Sequence, residues 1–120
     1  MKSNILVVDD EPVARQSMTD ILKLEGHNVA SAPNGQAAVE YVRTHPVDLM
    51  IVDLRMPGID GLTVIREARR LRADLPVIII TGYSTEASAI DAVNLGVTGY
   101  LTKPFRAPQV LAAAAKAMGE

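Results

Sequence analysis

The chain has 120 residues, 48% of them apolar, a formal charge of -2 and a pI near 5.6. This suits a single domain spanning residues 1–120, with no room for a second. There is no cysteine, which excludes a disulfide framework and a thiolate zinc site, and His27 and His45 are too few for a histidine-built metal cluster. No apolar stretch approaches the ~20 residues needed to cross a bilayer, and no leader is legible behind Met1-Lys2-Ser3-Asn4. The charge argues against a general electrostatic footprint for nucleic acid. The expectation is a soluble, cytoplasmic protein that binds neither membrane nor nucleic acid.

Taken in chain order, residues 5–8 open the pattern with aliphatic residues in a row and no polar alternation, as in a strand covered on both faces. Pro12 sits where a helix starts; Ala14, Met18, Ile21 and Leu22 share its face and Gly26 stops it. A weaker strand follows at 28–30. Asn34 caps a second helix, with Ala37, Ala38, Tyr41 and Val42 on one face and Pro46 ending it. Residues 49–52 form a third strand. Leu62, Ile65, Ala68 and Leu71 then mark a third helix that closes before Pro76. After a fourth strand at 77–80, a fourth helix begins behind Ser84-Thr85, carries Ala87, Ile90 and Val93, and ends at Gly96. Residues 100–101 are the last strand. Pro108 opens a fifth helix with Val110, Leu111, Ala114 and Met118 inward and Ala113 and Ala117 outward, a smooth, weakly polar face. Strict alternation on short connections makes a doubly wound α/β sheet with right-handed crossovers. Arg66, Arg69, Arg70 and Arg72 read as a solvated face near a helix C-terminus, and His27 and His45 as loop or helix-end residues.

Ligands of open α/β sheets bind beyond the carboxyl ends of the strands. The first run is followed by Asp9, Asp10 and Glu11, the third by Asp53, the fourth by Thr81 and the fifth by Lys103. Singly, each has an ordinary reading: Asp9 or Asp10 as a helix cap, Thr81 as a strand-end residue, Lys103 as a solvated charge. Asp53 is different, because a carboxylate directly after a buried run needs a partner or a metal. Jointly, three aspartates, a hydroxyl and an ammonium meet at one sheet edge. Carboxylates so close repel one another unless a cation is present, and hard oxygen donors suit Mg2+, with phosphate oxygens completing its shell. The implied chemistry is phosphoryl transfer onto Asp53 as nucleophile, with the metal and Lys103 neutralising charge and Thr81 donating a hydrogen bond.

From about Ile5 to the end, the chain resembles the receiver domain of bacterial two-component response regulators. The resemblance is carried by Asp9-Asp10, by Asp53-Leu54-Arg55-Met56-Pro57-Gly58 with Asp60-Gly61, by Thr81-Gly82 and by Lys103-Pro104-Phe105. It implies a (βα)5 flavodoxin-like sandwich with a five-stranded parallel sheet of order 2-1-3-4-5. It implies Asp53 as phosphoacceptor from the phosphohistidine of a sensor histidine kinase or phosphotransfer protein. Asp10 becomes a direct Mg2+ ligand, Asp9 the holder of a metal-bound water, and the backbone carbonyl of Arg55 a further ligand. Lys103 pairs with the acceptor and then with the phosphoryl group, across a cis bond to Pro104. Thr81 and Tyr100 form the switch pair: on phosphorylation the hydroxyl moves to the phosphoryl group, the ring turns inward, and the face of the fourth helix, fifth strand and fifth helix changes shape. Taken alone, Tyr100 is an ordinary core aromatic of a strand. Arg55 and Tyr83 flank the active site at variable positions.

Such a domain is a signalling module, assisting only its own phosphorylation and dephosphorylation. Its partner is a downstream protein or output domain, or a second copy of itself through the same face. A flavodoxin-like cofactor binder is the first rival; Asp9-Asp10-Glu11 would repel its phosphate, and aromatics for stacking make up only 3%. A Mg2+-dependent phosphohydrolase is the second, but it needs a general acid/base and a cap that 120 residues do not supply. The chain stops with the fifth helix, so it is expected to be either a stand-alone receiver or one cut from a larger regulator.

Overall fold

The aliphatic runs become β1 (Asn4–Val8), β3 (Leu49–Asp53) and β4 (Val77–Thr81) of a computed structural model that describes residues 3–82, 90 and 92–119. With β2 (Asn28–Ala32) and β5 (Gly99–Thr102) they form one sheet in the order β2-β1-β3-β4-β5. Every pairing is parallel, as the doubly wound reading requires. The connections carry α1 (Pro12–Leu24), α2 (Gly35–Thr44) and α3 (Gly61–Leu71), and a C-terminal helix (Ala107–Ala117) follows β5. Ile90 and residues 92–94 are helical; Tyr83, the Ser84-Thr85 start and Ala87 lie outside the described residues.

Alternate side chains of each central strand serve opposite layers, which is why those strands carry no polar alternation. Leu6, Val8, Met50, Val52, Val77 and Ile79 pack with Ala38 and Val42 of α2 and with Val64, Ile65 and Ala68 of α3. Their neighbours Ile5, Val7, Leu49, Ile51, Ile78 and Ile80 pack with Met18 and Leu22 of α1 and with Val110 and Ala114 of the C-terminal helix. Asn34 caps α2 by accepting from the Ala37 amide at 2.8 Å, and Asp60 caps α3 by accepting from Thr63 at 2.9 Å.

Several positions differ from the sequence expectation. Ala117 is buried and Ala113 packs against the same core, because the buried face of the C-terminal helix runs Val110, Ala114, Ala117. Ala37 is exposed, because α2 turns Gly35, Ala38 and Val42 inward. Ile90 and Val93 are 52% and 77% exposed, so the inward face of that helical segment belongs to buried Ala92. The arginine cluster divides. Arg66 and Arg70 are solvated, whereas Arg69 donates to the carbonyls of Leu75, Leu95 and Gly96, and Arg72 to those of Val42 and His45. Two of the four therefore tie down helix ends and the α3–β4 connection by satisfying backbone carbonyls. His45 ends α2 stacked on Tyr41 at 4.1 Å, and the His27 ring accepts from the Ser3 amide, both at the helix-end positions expected.

Ile79 is fully buried in β4 while Leu24 is 88% exposed. Ile79→Ala is expected to lower the unfolding free energy by about 2–5 kcal/mol, and Leu24→Ala to change it by less than about 0.5 kcal/mol, both read from urea denaturation.

Candidate functional site

Parallel pairing puts the carboxyl ends of the strands on one edge, and the register sets their depth. Val8 lies beside Val52, Asp53 beside Ile80, and Thr81 beside Thr102. Asp9, just past β1, donates its amide to Ala32 at 3.2 Å and continues the sheet by one residue. Its carboxylate and that of Asp53 are thereby carried inside, at 3% and 5% residue exposure, and Thr81 is fully buried. Asp10 is exposed.

Lys103 arrives from the far side of the sheet. Its amide donates to the Thr81 carbonyl at 2.9 Å, and its bond to Pro104 is cis, as the resemblance implies. Its ammonium donates to Asp9 Oδ2 at 2.9 Å and to Asp53 Oδ2 at 3.0 Å, and Glu11 Oε1 lies at 3.5 Å. The second oxygen of each buried carboxylate is tied locally: Asp9 Oδ1 accepts from the Glu11 amide at 2.9 Å, and Asp53 Oδ1 from the Arg55 amide at 3.0 Å. Gly61 presses α3 against the chain just past Asp53; a Cβ there would lie 2.6 Å from Leu54 Cα, so no other residue fits without moving that backbone.

Asp9, Asp10 and Asp53 each offer an oxygen within 4.8 Å of the others. Asp10 and Asp53 line a cleft of about 460 Å³ together with Glu11, Pro12, Arg55, Gly82 and Lys103. Three carboxylates against one ammonium leave the centre short of positive charge, and an all-oxygen donor set is the kind that holds a hard divalent cation. Burial pushes the Asp53 carboxyl above its usual range, opposed by the Arg55 amide and the Lys103 ammonium. Burial also works against the Lys103 ammonium, but its hydrogen bonds with Asp9 and Asp53 outweigh that and hold it well above the ordinary lysine range.

The edge thus gathers Asp9, Asp10, Asp53, Arg55, Thr81 and Lys103. Tyr100 is set apart, in β5 against the α2–α3 core layer. Its hydroxyl is buried with no hydrogen-bond partner among the described residues. Sequence reasoning missed that Lys103 bridges Asp9 and approaches Glu11 as well as Asp53. It also missed Arg15, whose Nη1 donates to the Asp9 carbonyl at 2.8 Å; its only sequence signal is a cation one helical turn into α1, behind the acidic run.

Residues 5–115 match the family model described as response regulator receiver domain. The chain is 36% identical to the chemotaxis protein CheY of Bacillus subtilis, over 98% of this chain and 99% of that protein. A response regulator receiver protein from Pseudomonas putida, whose crystal structure is known, is 34% identical with a TM-score of 0.90, over 97% of this chain and 98% of that one. A response regulator protein from Burkholderia pseudomallei, crystallised with a phosphorylated aspartic acid, calcium ion and citrate, is 32% identical with a TM-score of 0.85, over 92% of this chain and 65% of that one. Of the similar transcriptional regulatory proteins BaeR and ZraR of Escherichia coli, the chain spans 45% and 26%.

Because its folded pKa is raised, Asp53 binds its proton more tightly folded than unfolded. Its contribution to stability is present below the ordinary aspartate range and is lost as pH rises through the raised value. Without divalent cations, Asp53→Asn is expected to melt above the parent at about pH 7, the gap closing toward about pH 4. A parent more stable than the variant at neutral pH would show that the Lys103 pairing outweighs burial.

Proposed function

The chain belongs to the response regulator receiver domain family, and we propose that it accepts a phosphoryl group on Asp53 in a Mg2+-dependent step of two-component phosphorelay signalling. The donor is the phosphohistidine of a sensor histidine kinase or phosphotransfer protein. The observation that carries this is the Lys103 ammonium between the buried carboxylates of Asp9 and Asp53, at the mouth of an open cleft. The Burkholderia relative, with its phosphorylated aspartic acid and calcium ion, supports the same reading.

An Asp53 carboxylate oxygen attacks phosphorus; the O–P bond forms as the P–N bond to the donor imidazole breaks. The imidazole leaves with the electron pair and takes a proton from solvent. Lys103, already 3.0 Å from Asp53, is placed to neutralise the incoming phosphoryl oxygens. Asp10, Asp53 and the Arg55 carbonyl would hold Mg2+ directly and Asp9 through a water. When bound, the ion lowers the electrostatic cost of bringing phosphate to the carboxylates. Arg55, exposed at the cleft, controls the approach of water to the product.

Thr81 and Tyr100 form the switch. The phosphoryl group favours the state in which Thr81 and Lys103 both contact it, shifting an existing equilibrium by its differential affinity. On phosphorylation the Tyr100 ring turns inward with that shift. The readout surface is the face of the fourth helix, β5 and the C-terminal helix. It meets a downstream protein, an output domain, or a second copy of the chain. Residues 1–120 act as one receiver domain in the cytoplasm, with no turnover of free substrates and no direct contact with nucleic acid or membrane. Among the described residues no helix is long and apolar enough to cross a membrane.

Incubation with acetyl phosphate and Mg2+ is expected to add one phosphoryl group by intact mass, lost with EDTA and absent from Asp53→Asn. Lys103→Ala is expected to accept the group slowly and to lack the parent's phosphorylation-dependent amide shifts. An adduct on Asp53→Asn, or parent-like shifts in Lys103→Ala, would overturn the respective assignment.

A further inference from the structure

Asp9 is fixed at every polar atom: its amide enters the sheet at Ala32, its carboxylate meets the Glu11 amide and the Lys103 ammonium, and its carbonyl accepts from Arg15 Nη1 at 2.8 Å. Asp10 is the opposite case. It is exposed, and among the described residues nothing donates to its carboxylate. Its placement beside Asp9 and Asp53 therefore depends on its own backbone, which begins at the peptide whose oxygen Arg15 grips.

Arg15 is well anchored for that task. Its amide donates to the Glu11 carbonyl at 3.0 Å, and its own carbonyl accepts from the Thr19 hydroxyl at 2.8 Å. No carboxylate among the described residues pairs with its guanidinium, so its charge is not neutralised by a salt bridge beside an acidic cleft.

We infer that Arg15 is a positioning residue for the divalent cation: by holding the Asp9–Asp10 peptide it aims the otherwise unsupported Asp10 carboxylate into the cleft. The inference rests on the reading of Asp53 given above. Outer-shell groups that orient a ligand typically change metal affinity by about 10–100-fold. A bare charge effect has the opposite sign, since removing a cation beside the site would tighten binding of another.

The test is a Mg2+ titration of the full chain followed by amide chemical shifts, on the parent, Arg15→Met, Arg15→Lys and Arg15→Gln, with thermal midpoints measured alongside. Arg15→Met is expected to bind Mg2+ about tenfold more weakly or worse, while folded and at a midpoint that does not account for the loss. Arg15→Lys and Arg15→Gln, which keep a donor, should recover part of the affinity. The Mg2+ concentration for half-maximal labelling by acetyl phosphate should rise in Arg15→Met, with the rate at saturating Mg2+ retained. Unchanged or tighter Mg2+ binding in Arg15→Met overturns the inference. Should that variant not fold, weaker Mg2+ binding in Arg15→Gln, whose shorter side chain holds the Asp9 carbonyl less well, would support it, and parent-like or tighter binding there would overturn it. A parent with neither Mg2+-dependent shifts nor a phosphoryl adduct overturns the Asp53 reading itself, an outcome distinct from a parent that binds and a variant that binds equally.

Discussion

One ammonium shared by two buried carboxylates governs the design. Asp9 and Asp53 sit where a parallel sheet must place strand-end residues, and burial disfavours the charged form of Asp53. Lys103 makes that burial tolerable, though one positive charge does not balance Asp9, Asp10, Glu11 and Asp53. The remaining imbalance leaves the cleft with excess negative charge, the condition under which a hard cation is favoured. A better-neutralised pocket would be more stable and chemically idle, the usual conflict between a functional site and its scaffold.

Around this centre the fold is braced unevenly. Gly61 lets α3 lie directly on the backbone past Asp53, and Arg69 fastens the other end of α3 to the carbonyls of Leu75, Leu95 and Gly96. β3 and the helical segment ending at residue 94 are thus joined through one helix gripped at both ends. β5, by contrast, is only half-buried and contributes both Tyr100 and the approach to Lys103. The Tyr100 hydroxyl, buried without a partner among the described residues, is a local cost left standing in that strand.

The sequence made the sheet legible because β1, β3 and β4 are buried on both faces and can be built only from aliphatic runs. It located Asp53 because a carboxylate at the end of such a run demands an explanation, and Lys103 by its place after the fifth run, independently of the Lys-Pro-Phe motif. It was less informative on helix faces. Ile90 and Val93 fit a helical stripe yet lie outward, and Ala113 and Ala117 were assigned to the wrong side, since alanine marks no face by itself. Arg69 and Arg72 looked like solvated charge because their partners are backbone carbonyls, which have no letter in the sequence. The same holds for Arg15 and the Asp9 carbonyl. Side-chain pairs across 50 residues can be guessed from charge; grips on the main chain cannot.

The wide spacing of the ionic centre bears on biosynthesis. The ammonium follows Asp53 by 50 residues and Glu11 by 92. A ribosome thus extrudes the acidic pole well before its counter-ion, and the nascent N-terminal half must carry mutually repelling strand tips. β5 and the turn after it do more than extend the sheet: they deliver the charge that offsets that repulsion, so the pocket ripens only when β5 docks beside β4.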